Sequence, residues 1–446
     1  MDFGSAYGAF NGGNSKDKID KIKMLDKDFL KDKNVLVVGL GRSGYAASLL
    51  LAENKAKVAV TDKNKNPYLE KTAKELESYG IKVELGQHSR ELLEGKDLVV
   101  LSPGVDNRNP VIIWAEEKNI PVISEIELAF WFCPTRKIIA VSGTNGKTTV
   151  TSLIGKCLEA DGKRVHVCGN IGVAFSSQVK YIYGEDYVSL EISSFQLERV
   201  IKFRPFIAVM LNFTPDHLDR YADMQDYYQA KKRLFMNQEK EDFAVLNCND
   251  QYVKKMAQGI RANIVFFDKD NEMNENFSAV RKVAQIIKIE EKVIDKVFSD
   301  FKGIEHRLEY VGECKGVGFI NDSKATNVES TLWALQNINK PIILIAGGRN
   351  KGLSFSKIKP FIKQKVKFLV LIGEAKEVLK EEFKDTAKIY EASSLEEAVN
   401  SSFHKAQYGD VVLLSPMCAS FDMFKNYEER GDAFRNIVKE LIKKYA

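Results

Sequence analysis

The chain has 446 residues, enough for two to four domains. Hydrophobic residues make up 44% and charged ones 28%, the balance of an ordinary globular protein rather than a disordered or fibrous one. A formal net charge of +5 is too small to argue for nucleic acid or an anionic membrane and fits small anionic ligands held locally; no apolar run reaches spanning length.

Residues Met1 to Asn14 are rich in Gly, Asn and Ser, with no basic start and no long apolar core. They read as a disordered tail, not a secretory signal. The six cysteines, at 133, 157, 168, 248, 314 and 418, form no Cys-x-x-Cys pair and no small-domain framework. A chain this long builds a core without bridges, so a reducing cytoplasm is the expected setting.

Asn34 to Val38 reads as a short buried strand. Gly39-Leu40-Gly41-Arg42-Ser43-Gly44 follows it and opens a helix over Tyr45 to Glu53, and a second strand, Lys57 to Thr61, ends at Asp62. That is G-x-G-x-x-G with an acid about twenty residues on, in strand–turn–helix context. Taken alone it predicts a nicotinamide or flavin cofactor; a glycine turn with no ligand is the plainer alternative. A further strand, Asp97 to Leu101, carries Ser102-Pro103-Gly104-Val105 at its end. Ligands of open parallel sheets bind beyond the carboxyl ends of strands, so Asp62 and Ser102 to Gly104 are expected to line one crevice. His88 is either part of that crevice or an ordinary surface histidine.

Ile138 to Val141 reads as a buried strand, followed by Ser142-Gly143-Thr144-Asn145-Gly146-Lys147-Thr148-Thr149 and a helical pattern over Val150 to Leu158. A strand, a glycine loop and a helix N-terminus make an anion cradle. Lys147 would reach the outer phosphates of a nucleoside triphosphate and Thr148 would sit on Mg²⁺, although Val141 stands where the first glycine of G-x-x-x-x-G-K-[ST] belongs. The strand Tyr187 to Ile192 alternates, with Val188, Leu190 and Ile192 on one face and Glu191 on the other. Glu191, at its end, is a candidate second ligand of that metal. His217, after the strand Ile207 to Asn212, is a metal ligand, a substrate contact or a loop histidine. Of Lys231 and Lys232 in the helical run Asp226 to Phe235, only one can face a site. A diphosphate crevice followed by a triphosphate cradle suggests an activated-nucleotide substrate plus ATP.

The last third repeats strand and helix. Strands at Gly318 to Asp322, Pro341 to Ala346, Phe368 to Ile372 and Asp410 to Leu414 alternate with helical runs, which predicts a mostly parallel sheet. Asp322, Lys324, Thr326, Lys351 and Ser415 to Phe421 are expected beyond the strand ends. Turn and cap roles fit Asp322 and Ser323 as well.

In order, GLGRSG (39–44), SPGV (102–105), VSGTNGKTT (141–149), GNIG (169–172), LEISSFQLE (190–198), NFTPDHLDRY (212–221), EHRLEY (305–310), NDSKATN (321–327) and LLSPMCASFDMFKNYEERG (413–431) resemble the Mur ligases of bacterial peptidoglycan synthesis. The likeness covers Asn34 to the C-terminus. GTNGKTT is shared with folylpolyglutamate synthetases; LEISSFQLE, NDSKATN and SPMCASFD are narrower and look like the branch that adds D-glutamate. The resemblance implies an α/β protein of three domains. After a tail and lead-in (1–33) come a Rossmann-like UDP-substrate domain (34–134), a central ATP domain with a P-loop ATPase-type parallel sheet (135–303) and a Rossmann-like amino-acid domain (304–446). It implies ATP-driven amide formation through an acyl phosphate. The partners are UDP-N-acetylmuramoyl-L-alanine and D-glutamate, the cofactors ATP and Mg²⁺, and the chain is expected to be monomeric, without nucleic acid or membrane insertion.

Carried over residue by residue, the resemblance gives the nucleotide to Gly143, Thr144, Asn145, Gly146, Lys147, Thr148, Thr149, Asn276, Arg307 and Asp322, with His306 beside them. It gives Mg²⁺ to Thr148, Glu191, His217 and Lys231, the last as a carbamate. The UDP substrate falls to Gly41, Arg42, Ser43, Asp62, Lys63, Ser102, Gly104, Asn170 and His217, and D-glutamate to Lys324, Thr326, Lys351, Ser420, Phe421 and Tyr427. Two positions depart from the family pattern. Asn64 stands where an arginine often meets the uracil, and Glu275 to Ala279 keeps only Asn276 of the adenine-side H-N-x-x-N. The rival readings are a sister ligase, including the folate type, a nicotinamide oxidoreductase resting on Gly39 to Gly44 and Asp62, and a non-catalytic nucleotide sensor.

Overall fold

The computed structural model describes residues 25–445 apart from 217–219, 270–273, 302 and 351–354. The expected tail, His217 and Lys351 therefore lie outside the described residues. The described chain forms three α/β sheets.

The first sheet contains β1 (Asn34–Val38), β2 (Lys57–Asp62), β3 (Lys82–Leu85), β4 (Leu98–Leu101) and β5 (Val122–Ser124), all parallel, in the order β3-β2-β1-β4-β5. Val35 to Val38 are wholly buried, as expected of a central parallel strand covered on both faces. Helix α1 (Arg42–Glu53) opens on the glycine loop. It lies so close to β1 that a Cβ at Gly44 would collide with the carbonyl oxygen of Gly39, so only glycine fits there. The switch in strand order falls between β1 and β4, and the Gly39 and Ser102 loops meet beyond it, as the pairing of Ser102 N–H with the Val38 carbonyl shows.

Helix α2 (Glu125–Phe132) leads from the first sheet to the second and is N-capped by Ser124. Its Glu127 carboxylate accepts the backbone N–H groups of Ile201, Lys202 and Phe203, at 2.8, 2.8 and 3.0 Å, and the Trp131 indole N–H at 2.8 Å. One side chain thereby fixes a whole turn of the second sheet's periphery.

The second sheet is fully parallel. It contains β6 (Ile138–Ser142), β7 (Val165–Gly169), β8 (Tyr187–Glu191), β9 (Ile207–Met210), β10 (Phe243–Asn247) and β11 (Asn263–Phe267), in the order β11-β10-β9-β6-β8-β7. Helix α3 (Lys147–Ala160) starts three residues earlier than the periodicity predicts, at the lysine itself. The expected alternation of β8 does not give an exposed face: Val188 to Glu191 are all buried, because β8 is flanked by β6 and β7 and covered on both sides. Strand β9 stops two residues short of Asn212. From there the chain bends over the glycine loop, with Thr144 N–H donating to the Asn212 carbonyl.

The third sheet contains β12 (Glu309–Cys314), β13 (Val317–Asn321), β14 (Ile342–Gly347), β15 (Val366–Ile372), β16 (Lys388–Glu391) and β17 (Val411–Leu414), in the order β12-β13-β17-β14-β15-β16. Only the β12–β13 hairpin is antiparallel; the other pairs run parallel. Apolar clusters cover it on both faces, one around Leu344, Leu369 and Leu413, the other around Ile343, Val370 and Val412. The first two sheets pack into one compact unit (described residues within 1–213 and 223–300). The third sheet, with residues of 214–222, forms another (from 301 onward).

Candidate active site

The glycine loop lies beyond β6, and β8 and β9 flank it, so three adjacent strands deliver side chains to one place. Gly146 caps α3 with φ 85°, the left-handed region that costs any residue with a Cβ about 1 kcal/mol or more. A Cβ there would also collide with the Asn276 side-chain oxygen, so Asn276 packs directly on the loop. Asn212 braces the loop from the other side: its amide oxygen accepts Asn145 N–H at 2.8 Å and its amide nitrogen donates to the Asn145 carbonyl at 3.1 Å. The intrahelical ladder of α3 begins with Val150 N–H on the Gly146 carbonyl. The amides of residues 147–149 are therefore first-turn donors, which a helix leaves for an anion.

Lys147 folds back over this loop, its Nζ donating to the carbonyls of Gly143 at 2.9 Å and Thr144 at 2.7 Å. Thr148 Oγ1 donates to Glu191 Oε2 at 2.7 Å, and Asn170 Nδ2 to Glu191 Oε1 at 2.8 Å. Thr148 and Glu191 are both buried. Helix α4 (Met224–Lys232) turns Lys231 inward and Lys232 outward. Lys231 is 2% exposed, lies 4.9 Å from the Tyr227 ring centroid and donates to the Gly143 carbonyl at 2.9 Å, whereas Lys232 reaches the Gln258 carbonyl at 3.1 Å.

In the first sheet both Asp62 oxygens accept backbone N–H groups, Leu40 and Asn64, each at 2.8 Å. Asp62 thus shapes the fingerprint loop itself. Arg42 and Lys63 are exposed and Ser43 half-buried at the crevice, with Ser102 buried and Gly104 exposed at its other lip. His88 is half-buried between Thr61 Oγ1 at 2.8 Å and Asn109 Nδ2 at 3.0 Å, and burial lowers its basicity. It is a brace of this sheet, not a surface residue.

In the third sheet the loop after β13 and the loop after β17 lie side by side, since those strands pair. Asp322 is buried; Ser415 Oγ donates to it at 2.8 Å and Leu308 N–H at 3.3 Å. Burial pushes its carboxyl up to about 7, against the pull of Ser415, Arg307, Leu308 and Arg430. Lys324 Nζ donates to the Tyr427 hydroxyl at 2.8 Å. His306, with φ 62°, is buried and its Nδ1 lies 2.9 Å from Asn321 Nδ2. Ser420 is buried, Thr326 half-buried and Phe421 exposed.

Three family models match the chain: Mur ligase MurD-like, N-terminal domain over 33–124; Mur ligase middle domain over 141–315; and Mur ligase, glutamate ligase domain over 306–418. The UDP-N-acetylmuramoylalanine–D-glutamate ligase of Koribacter versatilis is 38% identical, across 92% of this chain and 98% of its own length. The chain belongs to the Mur ligase family. A second relative of that name, from Pelotomaculum thermopropionicum, is 40% identical across 94% of this chain and 99% of its own. A solved MurF ligase of Thermotoga maritima in complex with ADP has the same fold, with a TM-score of 0.57, 14% identity, and coverage of 95% of this chain and 98% of its own.

Family membership removes the oxidoreductase reading: the fingerprint loop of this Mur ligase belongs to a ligase domain. The structure brings Lys147, Thr148, Glu191, Asn170, Lys231 and Asn276 together around one loop, and Arg307, Asp322, Lys324 and Tyr427 around another. Sequence reasoning passed over three supporting residues: Asn212 and Arg430, which hold these loops, and Glu127, which holds the turn 201–203. Asn212 and Arg430 lie inside motifs already singled out, yet each acts on a partner far along the chain, which no local spacing reveals.

Proposed function

We propose that this Mur ligase joins D-glutamate to UDP-N-acetylmuramoyl-L-alanine, driven by ATP. The observation that carries the reading is the meeting of Lys147, Thr148, Glu191 and Lys231 on one glycine loop, in a chain colinear with relatives of that activity. The fingerprint crevice (Gly41, Arg42, Ser43, Asp62, Lys63, Ser102, Gly104) takes the UDP end, with Asn170 toward the muramoyl part. The loop 143–149 takes the triphosphate on its helix N-terminus. Lys324, Thr326, Ser420, Phe421 and Tyr427 take D-glutamate, whose two carboxylates call for cations and hydroxyls. Lys351 and His217 complete these sets by resemblance.

The substrate carboxylate attacks the γ-phosphorus, ADP leaves, and an acyl phosphate forms. Lys147 leaves the two loop carbonyls it holds and neutralises charge spreading over the transferring phosphoryl oxygens. The amine of D-glutamate then attacks the acyl carbon and phosphate is expelled. Thr148 Oγ1 and Glu191 Oε2, hard oxygens 2.7 Å apart and shielded from water, suit Mg²⁺. Bound there, Mg²⁺ supplies further neutralisation of phosphate charge. Lys231 joins this set once its neutral amine adds CO₂ and loses a proton, which turns a cation into an oxygen-bearing anion. The protein works as a monomer in the cytoplasm, a setting that the free thiols of all six cysteines suit.

The test is phosphate release from ATP with UDP-N-acetylmuramoyl-L-alanine and single amino acids of both chiralities. D-Glutamate alone should trigger release. Release with a diamino acid or L-glutamate instead would make this a sister ligase.

A further inference from the structure

Arg430 is the largest wholly buried side chain among the described residues, 1% exposed, on helix α5 (Tyr427–Tyr445) of the third-sheet unit. A buried guanidinium is costly unless its donors are met. Here they are met by two separate loops. Nε donates to Ser323 Oγ at 2.9 Å and Nη2 to the Ser323 carbonyl at 2.8 Å, on the loop after β13. Nη1 and Nη2 both donate to the Cys418 carbonyl at 3.3 Å, on the loop after β17.

The Ser323 loop is tied to the helix a second time, one helical turn earlier. Ser323 Oγ, while accepting from Arg430, donates to the Tyr427 carbonyl at 2.8 Å; the next residue, Lys324, donates to the Tyr427 hydroxyl at 2.8 Å. Tyr427 and Arg430 stand three residues apart and so share a helix face. A closed ring results: Arg430 to Ser323, along the chain to Lys324, across to Tyr427, and back along the helix. A third tie, Met417 N–H on the Ala325 carbonyl at 3.0 Å, joins the two loops directly. Burial lowers the Arg430 pKa to about 10, so it stays charged at neutral pH and keeps its donors.

We propose that Arg430 is a positioning residue for the amino-acid pocket: by clamping the Ser323 loop to the Cys418 loop it presets Lys324 on one and Ser420 on the other for the incoming amino acid. The proposal rests on the functional reading above for the identity of that amino acid. Arg430 touches no substrate; it acts through the loops. Lysine cannot replace it, because one ammonium lacks the planar fork that reaches both loops at once.

The experiment compares the full-length wild type with Arg430→Lys, Ser323→Ala and the double variant, with the Michaelis constant of each of the three substrates measured separately. In Arg430→Lys the constant for D-glutamate should rise about tenfold or more, while those for ATP and the UDP substrate stay within about twofold. Ser323→Ala should shift the same constant in the same direction. The double variant should be no worse than Arg430→Lys alone, since both break one ring. Millimolar guanidinium should restore part of the D-glutamate affinity of Arg430→Ala. A parallel rise of all three constants, or an unchanged D-glutamate constant, would overturn the proposal. If Arg430→Lys lacks a cooperative melt, Ser323→Ala decides on the same criterion. A wild type that ignores D-glutamate but consumes another amino acid would refute the functional reading, and the clamp is then judged on the constant for that amino acid.

Discussion

In the proposed function Lys147 serves two states with one side chain. In the protein alone its ammonium is satisfied by the carbonyls of Gly143 and Thr144, so it is held over the loop rather than searching solvent. Exchanging those carbonyls for phosphate oxygens strengthens the bonds, because both partners are then charged. Lys147→Ala should therefore lower turnover by about 10²–10³-fold with the fold intact. Steady-state phosphate release beside a thermal melt checks this, and near-normal turnover would refute the role. Asp322 makes a different prediction. Its carboxyl titrates near 3.8 in an unfolded chain and about 7 here, so between those values the folded state holds more protons. Stability attributable to this group therefore falls as pH rises from about 4 to about 7, then levels off. Asp322→Asn removes the titration. The stability of the variant relative to wild type should climb across that window, by up to a few kcal/mol, in urea titrations at successive pH values. A difference that is flat with pH would sink this reading.

At the scale of elements, helix α2 is the joint of the first unit. Glu127 gathers three backbone N–H groups of the turn 201–203, and Arg233, just after α4, donates to the Leu197 and Val200 carbonyls of the same region at 3.0 and 2.6 Å. Two side chains from different elements thus satisfy both polarities of a short segment that has no strand partner. Glu127→Ala strands three backbone donors, that of Phe203 buried and those of Ile201 and Lys202 half-buried; at about 1–3 kcal/mol for a buried one, a loss of roughly 2 kcal/mol or more is expected in urea unfolding. A loss below about 1 kcal/mol would mean that water replaces the carboxylate. The glycine loop is a second such element. Gly146→Ala imposes left-handed strain and displaces Asn276, so nucleotide affinity, followed by fluorescent-ADP titration, should fall well beyond what the melt alone explains.

Across the whole molecule, what the sequence reveals is what acts locally. The fingerprint 39–44, the cradle 143–149 and the strand-end residues Asp62, Glu191 and Asp322 are legible because their chemistry depends on a turn and the element it starts. That only one of Lys231 and Lys232 turns inward is legible because helical residues point about 100° apart, while the choice of Lys231 comes from the family resemblance. The supports are not legible in this way. Asn212 acts across 67 residues on Asn145, Glu127 across 74 on Ile201, and Arg430 across 107 on Ser323. Each looks like an ordinary polar residue until the sheets bring its partner alongside. The burial of both faces of β8 was hidden for the same reason, since alternation cannot foresee a neighbour on each side.

In the proposed mechanism the substrate carboxylate itself attacks the γ-phosphorus over the 143–149 loop. UDP-N-acetylmuramoyl-L-alanine carrying ¹⁸O in its alanyl carboxylate tests it in one turnover with ATP and D-glutamate. One labelled oxygen in the released phosphate, seen by mass spectrometry, is the expected result, because the bridging oxygen of the acyl phosphate leaves with phosphorus. Amide formed with unlabelled phosphate would contradict it.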